Sequence, residues 1–137
     1  MTKKEFEEFL VSIGGLVRGW KPEKGLIVGS EWFEVTEGWY QLISNLITEL
    51  IELGWNKKVL QVKEKFGGLR FYIDSEDMPE SGLEVIRKYE SKSYEICDVC
   101  GGEGVLRSGS WLRTQCDEHC NGNEPFNLDT RKRLFGR

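Results

Sequence analysis

All four cysteines of the chain and its only histidine lie between residues 97 and 120. Two residues separate Cys97 from Cys100, so a single tight turn can aim both sulfurs at one point. Glycines follow directly. In a turn around a metal-bound sulfur they allow positive φ values and bring a backbone N–H close to the sulfur. After fifteen intervening residues Cys116 opens a second turn, with two residues between it and His119. The spacing C-x2-C-x15-C-x2-H is typical of a zinc ribbon with tetrahedral coordination.

The fourth ligand of such a site has two candidates. Cys116-x2-His119 repeats the spacing of the first turn, whereas Cys116-x3-Cys120 would make an all-thiolate site. We favour His119, with Cys120 as the alternative. Four protein ligands fill the zinc shell and leave no position for an activated water, so we expect a structural site. Its binding free energy, on the order of 10–16 kcal/mol, would stabilise a segment with little core of its own.

The length and composition predict one folded core with a small metal-stabilised annex. The chain has 137 residues, of which 39% are hydrophobic and 12% aromatic, as in a globular protein. We predict an α+β core domain over residues 1–94, a zinc ribbon over residues 95–121, and a polar, basic C-terminal tail over residues 122–137.

We expect the chain to act in a reducing cytoplasm. Its N-terminal residues are charged and lack the apolar core of a secretion signal. No apolar run approaches the roughly 18 residues of a membrane span, so no membrane partner is expected. In a reducing compartment, clustered cysteines bind metal more often than they form disulfides. The net charge of −4 gives no overall attraction to nucleic acid, so an anionic partner would need a local basic patch.

Hydrophobic spacing predicts three helices. Thr2 and Glu5 form a capping-box pattern, and the apolar residues that follow repeat at helical intervals. The strongest helix is expected over residues 36–53, capped by Thr36, with a broad apolar face that belongs in the core. A third helix precedes the first cysteine pair. Residues 16–35 show no clear period, and we interpret them as a packed connection with at most a short strand.

After the second helix the hydrophobic period changes from 3.6 to 2. Residues 59–66 and 69–74 are predicted to form two antiparallel strands joined by a turn at Gly67-Gly68, which accepts positive φ values. The predicted fold class is therefore α+β. We expect a small antiparallel sheet built on this β-hairpin and packed against helices, with a C-terminal zinc ribbon.

One face of the predicted hairpin is polar and mostly cationic. The register places Lys65 directly opposite Arg70, a like-charge pair that costs from a few tenths to about 1 kcal/mol. Three explanations are open: the face is fully solvated, carboxylates from another element neutralise it, or an anion binds there. In the third case Tyr72 could stack on a base and the backbone N–H groups of Gly67 and Gly68 could bind a phosphate. The residues that alternation assigns to this face are Gln61, Lys63, Lys65, Arg70 and Tyr72.

The predicted ribbon carries a second candidate binding surface. Residues 105–107 and 110–114 are expected to pair around a tight turn at Ser108-Gly109. Two readings of this ribbon are open: its aromatic and basic side chains contact nucleic acid, or the indole docks the ribbon onto the core. The side chains in question are Trp111, Arg113 and Arg107.

The sequence gives little support for catalysis. It has neither the Gly-x-Ser-x-Gly of a nucleophile elbow nor the His-Glu-x-x-His of a metalloprotease. Its single histidine is assigned to metal, and its acidic residues lie in charged stretches typical of a solvated surface. We therefore expect a non-enzymatic protein, with a hydrolase or nuclease as the least favoured alternative.

Three segments are distinctive when taken together: Gly38-Trp39 at the start of an apolar helix, QVKEKFGGLRFY at residues 61–72, and the cysteine turns that end in Cys-Asp-Glu-His at residues 116–119. They resemble a family of short phage and bacterial zinc-ribbon proteins of unassigned function, over residues 38–120. The second turn of that family has the form Cys-Asp-x-His, which implies His119 as the fourth ligand. The resemblance implies a phage or prophage setting, but no substrate and no catalytic residue.

The favoured hypothesis is a phage-type binding protein that holds a nucleotide or nucleic acid on the cationic hairpin face. Sequestration of a host immune nucleotide signal in the host cytoplasm is one concrete form of it. The alternative is an inhibitor or adaptor that binds a host protein through surface tryptophans. The tryptophans considered for this role are Trp20, Trp32, Trp55 and Trp111. The oligomeric state is not predicted.

Overall fold

Helices and short strands alternate along residues 1–126, which are the residues that the computed structural model describes. The helices are α1 (Lys3–Ser12), α2 (Tyr40–Glu52) and α3 (Gly82–Ser93). The strands are β1 (Leu16–Arg18), β2 (Leu26–Ile27), β3 (Lys58–Val59), β4 (Gln61–Lys65), β5 (Gly68–Tyr72), β6 (Val105–Arg107) and β7 (Arg113–Gln115). This mixture confirms the predicted α+β class. Within these residues, no helix combines the length and the apolar content that crossing a bilayer requires.

Helix α2 provides the centre of the core. Its apolar face is buried as the spacing predicted, and Trp39 just before it is fully buried. Helix α1 packs beside it, with the ring of Phe6 stacked on Tyr40 at a centroid distance of 4.4 Å. The predicted capping box of α1 is confirmed, because Thr2 and Glu5 exchange side-chain and backbone hydrogen bonds. Each fully buried large apolar side chain contributes about 1.5–3 kcal/mol, so these helices carry much of the hydrophobic stabilisation.

The predicted cap of the second helix is wrong. A 3-10 turn, Glu37–Trp39, precedes α2, and Thr36 makes no side-chain hydrogen bond to a helix N–H. The Thr36 hydroxyl donates instead to the backbone carbonyl of Asp98, 62 residues further along the chain. The hydroxyl donates to a tertiary acceptor and does not accept from a local N–H, and this bond places the start of α2 against the first cysteine turn.

Residues 16–35, predicted as a connection, contribute two strands to a three-stranded sheet. Strand β1 lies at its centre, with β2 antiparallel on one side and β3 parallel on the other. These strands are only two or three residues long, too short to show a period of 2. The predicted extent of the hairpin is therefore wrong: residue 59 belongs to β3, and β4 and β5 form a separate two-stranded sheet.

The turn of the β4–β5 hairpin lies one residue earlier than predicted. Lys65 is opposite Gly68 and not opposite Arg70. The turn residues are Phe66 and Gly67, with φ values of 54° and 82°, as a type I′ turn requires. The predicted register is wrong by two positions in the partner strand. Since a shift of two keeps every side chain on its own face, the composition of the polar face is unchanged.

Helix α3 covers the free edge of β5. The Leu69 N–H donates to the Ser93 hydroxyl, and the Phe71 N–H donates to the Glu90 carboxylate, each at 2.9 Å. Side chains of one helix thus satisfy backbone donors that a two-stranded sheet leaves unpaired.

The predicted C-terminal tail is described only in part. Residues 122–126 run beside β6, where the Ser108 N–H donates to Glu124 and the Phe126 N–H donates to Leu106, at 2.9 and 2.8 Å. The basic residues Arg131, Lys132, Arg133 and Arg137 lie outside the described residues.

We expect Gly68→Ala to destabilise the protein by about 1–3 kcal/mol, as overpacked positions do. A Cβ at this position would overlap with the ring of Tyr94, which follows α3. Urea denaturation measures the loss. In the double variant Gly68→Ala/Tyr94→Ala the obstacle is absent, so its loss should be smaller than the sum of the two single losses. Additive losses would show that the ring does not restrict this position.

Candidate metal centre

Four side chains near the C-terminus converge on one point. The Sγ atoms of Cys97, Cys100 and Cys116 and a ring nitrogen of His119 all lie within 4.8 Å of one another. The antiparallel pairing of β6 with β7 brings the second turn back to the first. The four residues could therefore hold a metal ion. We call residues 95–121, which contain this cluster, the cysteine module.

The separations in the cluster match a tetrahedral centre. The Sγ atoms of Cys100 and Cys116 are 3.8 Å apart, and His119 Nδ1 lies 3.1 Å from Cys116 Sγ and 3.7 Å from Cys97 Sγ. A tetrahedron with metal–sulfur distances near 2.3 Å has S···S edges of about 3.8 Å and S···N edges of about 3.5 Å. The donors thus fit a closed four-ligand shell, which has no open position for substrate.

The alternative ligand lies outside the cluster. Cys120 is buried, and its Sγ donates to the backbone carbonyl of Asp117 at 3.3 Å. In the part of the chain that the structure describes, the group that could hold a metal ion contains His119 and not Cys120. The fold therefore assembles the three-cysteine, one-histidine set that the spacing favoured.

The environment of Cys97 favours its thiolate. Burial opposes ionisation, but the backbone N–H groups of Cys100, Cys116 and Val99, together with His119, outweigh it and lower the pKa of Cys97 to about 6. The thiolate is the form that coordinates metal.

The first cysteine turn packs against the residues that precede α2. The backbone carbonyl of Asp98 accepts a hydrogen bond from the Gly38 N–H at 2.9 Å and another from the Thr36 hydroxyl. The Trp39 indole N–H donates to the Ile96 carbonyl at 2.9 Å. A Cβ on Gly38 would overlap with the backbone of Asp98, so this close approach requires glycine.

A second contact joins the cysteine module to the turn of the β4–β5 hairpin. The Thr114 hydroxyl donates to the Gly67 carbonyl at 2.7 Å, and the Gly67 N–H donates to the Glu64 carboxylate at 2.8 Å. The Trp111 indole N–H donates to the other oxygen of Glu64 at 3.0 Å. A Cβ on Gly67 would overlap with Leu106. Both backbone groups of Gly67 are used within the protein, so the predicted free N–H for a phosphate is wrong there.

Asp98 also has a buried carboxylate that an arginine neutralises. The Nε and Nη2 atoms of Arg113 donate to its two oxygens, each at 2.9 Å, and the Gln115 amide lies 3.4 Å from one of them. Asp98 is only 4% exposed. This carboxylate raises the pKa of Arg113 above its ordinary value. Arg113, predicted as a ligand-binding residue, thus links β7 to the first cysteine turn.

Arg107 is buried inside the module. Its guanidinium donates to the backbone carbonyls of Gln115 and Asn123 at 3.1 and 3.2 Å, and to the Asp117 carboxylate at 2.9 Å. These bonds fix the spacing between β6 and the second cysteine turn. Trp111 differs, because it is 68% exposed despite its hydrogen bond to Glu64. The indole joins the cysteine module to β4 through one hydrogen bond while most of its surface stays exposed, so the docking and the binding interpretations both stay predictions.

The remaining predicted ligand-binding residues lie together on the polar face of the β4–β5 hairpin. Lys63 is directly opposite Arg70, and Lys65 lies two residues along the same strand. Tyr72 is at the far end of this face and is 39% exposed. Gly68 is buried beneath Tyr94. The four polar side chains are thus grouped as predicted.

A groove of about 490 Å³ opens where the cysteine module meets the core. Trp111 and Arg113 line one side of it, and Phe33, Thr36 and Glu64 line the other. Sequence reasoning missed this groove because its two sides come from segments far apart in the chain.

Metal content should depend on the clustered side chains and not on Cys120. Cys116→Ser should lose bound metal and lower the melting temperature, because it removes one of four ligands. The matched variant Cys120→Ser should keep one equivalent. Elemental analysis by mass spectrometry, combined with thermal denaturation, measures both. Metal retained by Cys116→Ser, or lost by Cys120→Ser, would contradict the assignment.

The ion pair between Arg113 and Asp98 should matter more for stability than an exposed one. Arg113→Met leaves a buried carboxylate without its partner, which costs about 3 kcal/mol or more. The control is Lys58→Met, which removes the exposed pair with Asp77 at 3.7 Å and should cost about 0–1 kcal/mol. Urea denaturation compares the two variants. Equal losses would show that the buried pair does not hold the module in place.

No family model, curated protein or solved structure matches this chain. The resemblance to short phage and bacterial proteins therefore stays a prediction.

Proposed function

We propose that the chain is a non-enzymatic binding protein that holds an anionic ligand on the polar face of its β4–β5 hairpin. The observation that carries this proposal is the arrangement of three cations on that face. Lys63 lies directly opposite Arg70, and Lys65 is next to them. Within residues 1–126 none of the three forms an ion pair with a carboxylate. A bound anion would offset the repulsion between like charges that face each other across two strands.

The acidic residue closest in register does not neutralise this face. Glu34 forms an isolated parallel bridge with Lys63, so the two are neighbours across the strands. The Glu34 carboxylate accepts a hydrogen bond from the Gln61 amide at 3.3 Å. It forms no ion pair with Lys63 in the described part of the chain. On α3, the Glu90 carboxylate accepts from the Phe71 N–H beside Arg70 and interacts electrostatically with that arginine, so neutralisation by a neighbouring element reaches Arg70 but not the two lysines.

Arg70 and Tyr72 suit a ligand with a phosphate and an aromatic ring. The Arg70 guanidinium donates to the Tyr94 hydroxyl at 3.0 Å and lies 6.0 Å from the centre of that ring. A guanidinium held in this way loses little freedom when it binds an oxyanion. The half-exposed ring of Tyr72 offers a surface on which a base can stack. These features support a nucleotide or nucleic acid as the ligand.

We assign zinc to the metal centre. Three thiolates and one imidazole in a closed tetrahedral arrangement are the donors that structural zinc prefers. The ion would hold the two cysteine turns together and keep the cysteine module against the hairpin turn. Its contribution to binding would therefore be indirect, through the rigidity of the β4–β5 hairpin.

The resemblance to phage proteins supports one concrete form of this function. In that setting, a small cytoplasmic protein would bind a nucleotide signal of the host and lower its free concentration. Such a role needs a binding face and no catalytic residues, which agrees with the absence of catalytic motifs in the sequence.

A protein partner is the second candidate, and the exposure of Trp111 favours it. This indole lies at the edge of the groove between module and core, and exposed tryptophans are enriched at interaction hot spots. Trp55 is buried and so cannot contribute to such a surface, contrary to the prediction. A stoichiometric protein that wild type captures, and that Trp111→Ala loses but Lys63→Glu/Lys65→Glu keeps, would favour this candidate.

Calorimetry with a panel of nucleotides and short oligonucleotides tests the first proposal. We expect Lys63→Glu/Lys65→Glu to weaken binding at the hairpin face at least tenfold, because two cations become anions on that face. Binding by wild type should also weaken as salt concentration rises.

The control is Lys3→Glu/Lys4→Glu, which changes net charge equally on exposed residues of α1. It should bind within about twofold of wild type, because α1 contributes no residue to the polar face of the hairpin. Equal weakening by both double variants would indicate a non-specific effect of net charge. No binding by wild type to any member of the panel would refute the proposal.

A further inference from the structure

A small cavity lies beside β1, on a part of the surface that the proposed function does not use. Its volume is about 120 Å³. Arg18, at the end of β1, lines it together with Lys24 from the following 3-10 turn and Lys21, which directly precedes that turn. Trp20 and Trp32 complete its polar and aromatic lining. None of these residues belongs to the polar face of the β4–β5 hairpin.

Among the described residues, the charged ones that line this cavity are all basic, and its wall is otherwise mostly apolar. In the described residues none of its three cationic side chains forms an ion pair. Arg18 Nε is buried and has no hydrogen-bond acceptor there. Glu23, which lies between the two lysines in the sequence, is exposed and does not line the cavity. The Arg18 side chain as a whole is half-buried, but buried N–H donors normally have an acceptor, so an anion at the cavity would meet an unpaired donor of Arg18.

The aromatic part of the lining has one exposed and one fixed indole. Trp20 is 75% exposed, although tryptophan usually buries most of its surface. Trp32 is partly buried and packs edge-on against Phe33 at a centroid distance of 5.2 Å. Aromatic side chains beside basic ones are the combination that binds the bases and phosphates of nucleotides.

We propose that this cavity is a second binding site, for a nucleotide whose base contacts the indoles and whose phosphate contacts Arg18, Lys21 and Lys24. Sites that enclose a whole ligand measure about 300–1,000 Å³, so this cavity accommodates only part of one. The planar base enters the cavity, and the phosphate stays at its open, lysine-lined side. A free nucleotide and a nucleotide within a single strand present the same groups, and the experiment separates them.

Calorimetry on the full chain tests the site with four probes: adenosine monophosphate, adenosine, inorganic phosphate and an eight-residue oligo-deoxyadenylate. Adenosine monophosphate should bind at least tenfold more tightly than adenosine or inorganic phosphate, because each of these supplies only half of the contacts. Tighter binding of the oligonucleotide would identify a single strand as the source, and equal or weaker binding would identify a free nucleotide.

Trp20→Ala should weaken binding of adenosine monophosphate at least tenfold, and Lys21→Ala/Lys24→Ala should weaken it and reduce its dependence on salt. All three side chains are exposed, so these variants should fold, which thermal denaturation checks. Trp111→Ala, which removes a similarly exposed indole elsewhere, should leave this affinity unchanged.

Because the hairpin face is proposed to bind nucleotides as well, every titration is made in the Lys63→Glu/Lys65→Glu background, in which binding at the hairpin is weakened. Binding of adenosine monophosphate that persists in this background and depends on Trp20 belongs to the cavity and does not rest on the proposed function. The inference is overturned if neither adenosine monophosphate nor the oligonucleotide binds. It is also overturned if Trp20→Ala binds as tightly as wild type, or if inorganic phosphate binds as tightly as the nucleotide.

Discussion

The backbone of the first cysteine turn meets the residues before α2 with no side chain between them, and the rest of the structure depends on this contact. Gly38 has no Cβ, so its N–H reaches the Asp98 carbonyl directly. The carboxylate of the same Asp98 holds Arg113 on β7. One buried residue thus connects the core, the cysteine turn and the ribbon strands. Asp98 directly follows Cys97, so a bound metal ion would also stabilise this contact between the cysteine turn and the core.

Contacts with the cysteine module and with α3 explain how a two-stranded hairpin, which is marginally stable alone, can provide a rigid surface. The cysteine module holds its turn through the hydrogen bond from Thr114 to Gly67. Helix α3 holds its edge through Ser93 and Glu90. Neither contact involves Lys63 or Lys65, so the hairpin is supported from two sides while these lysines stay on the surface.

Among the basic residues predicted to bind a ligand, the arginines and the lysines have different roles in the structure. Arg107 and Arg113 are used inside the cysteine module, and Arg70 donates to Tyr94. Lys63 and Lys65 keep their charges on the surface without an ion pair in the residues described. The difference follows from chemistry: a planar guanidinium donates several hydrogen bonds in fixed directions and is weakly hydrated, whereas an ammonium group is strongly hydrated. The arginines of the cysteine module are therefore structural, and the lysines of the hairpin are the better guides to the surface of this protein.

The sequence by itself determined the features that depend on residues close together in the chain. These are the capping box at Thr2, the apolar face of α2, the two faces of the hairpin and the spacing of the cysteine turns. Only the tertiary structure decided that Phe66 and Gly67 form the hairpin turn. It also decided that the Thr36 hydroxyl donates to Asp98 and that β1 pairs with β3 in a sheet. The physical reason is that local periodicity specifies which side of an element is apolar. It does not specify which distant group is the hydrogen-bond partner. Here the carbonyls of Asp98 and Gly67 accept the hydrogen bonds that connect the core with the cysteine module.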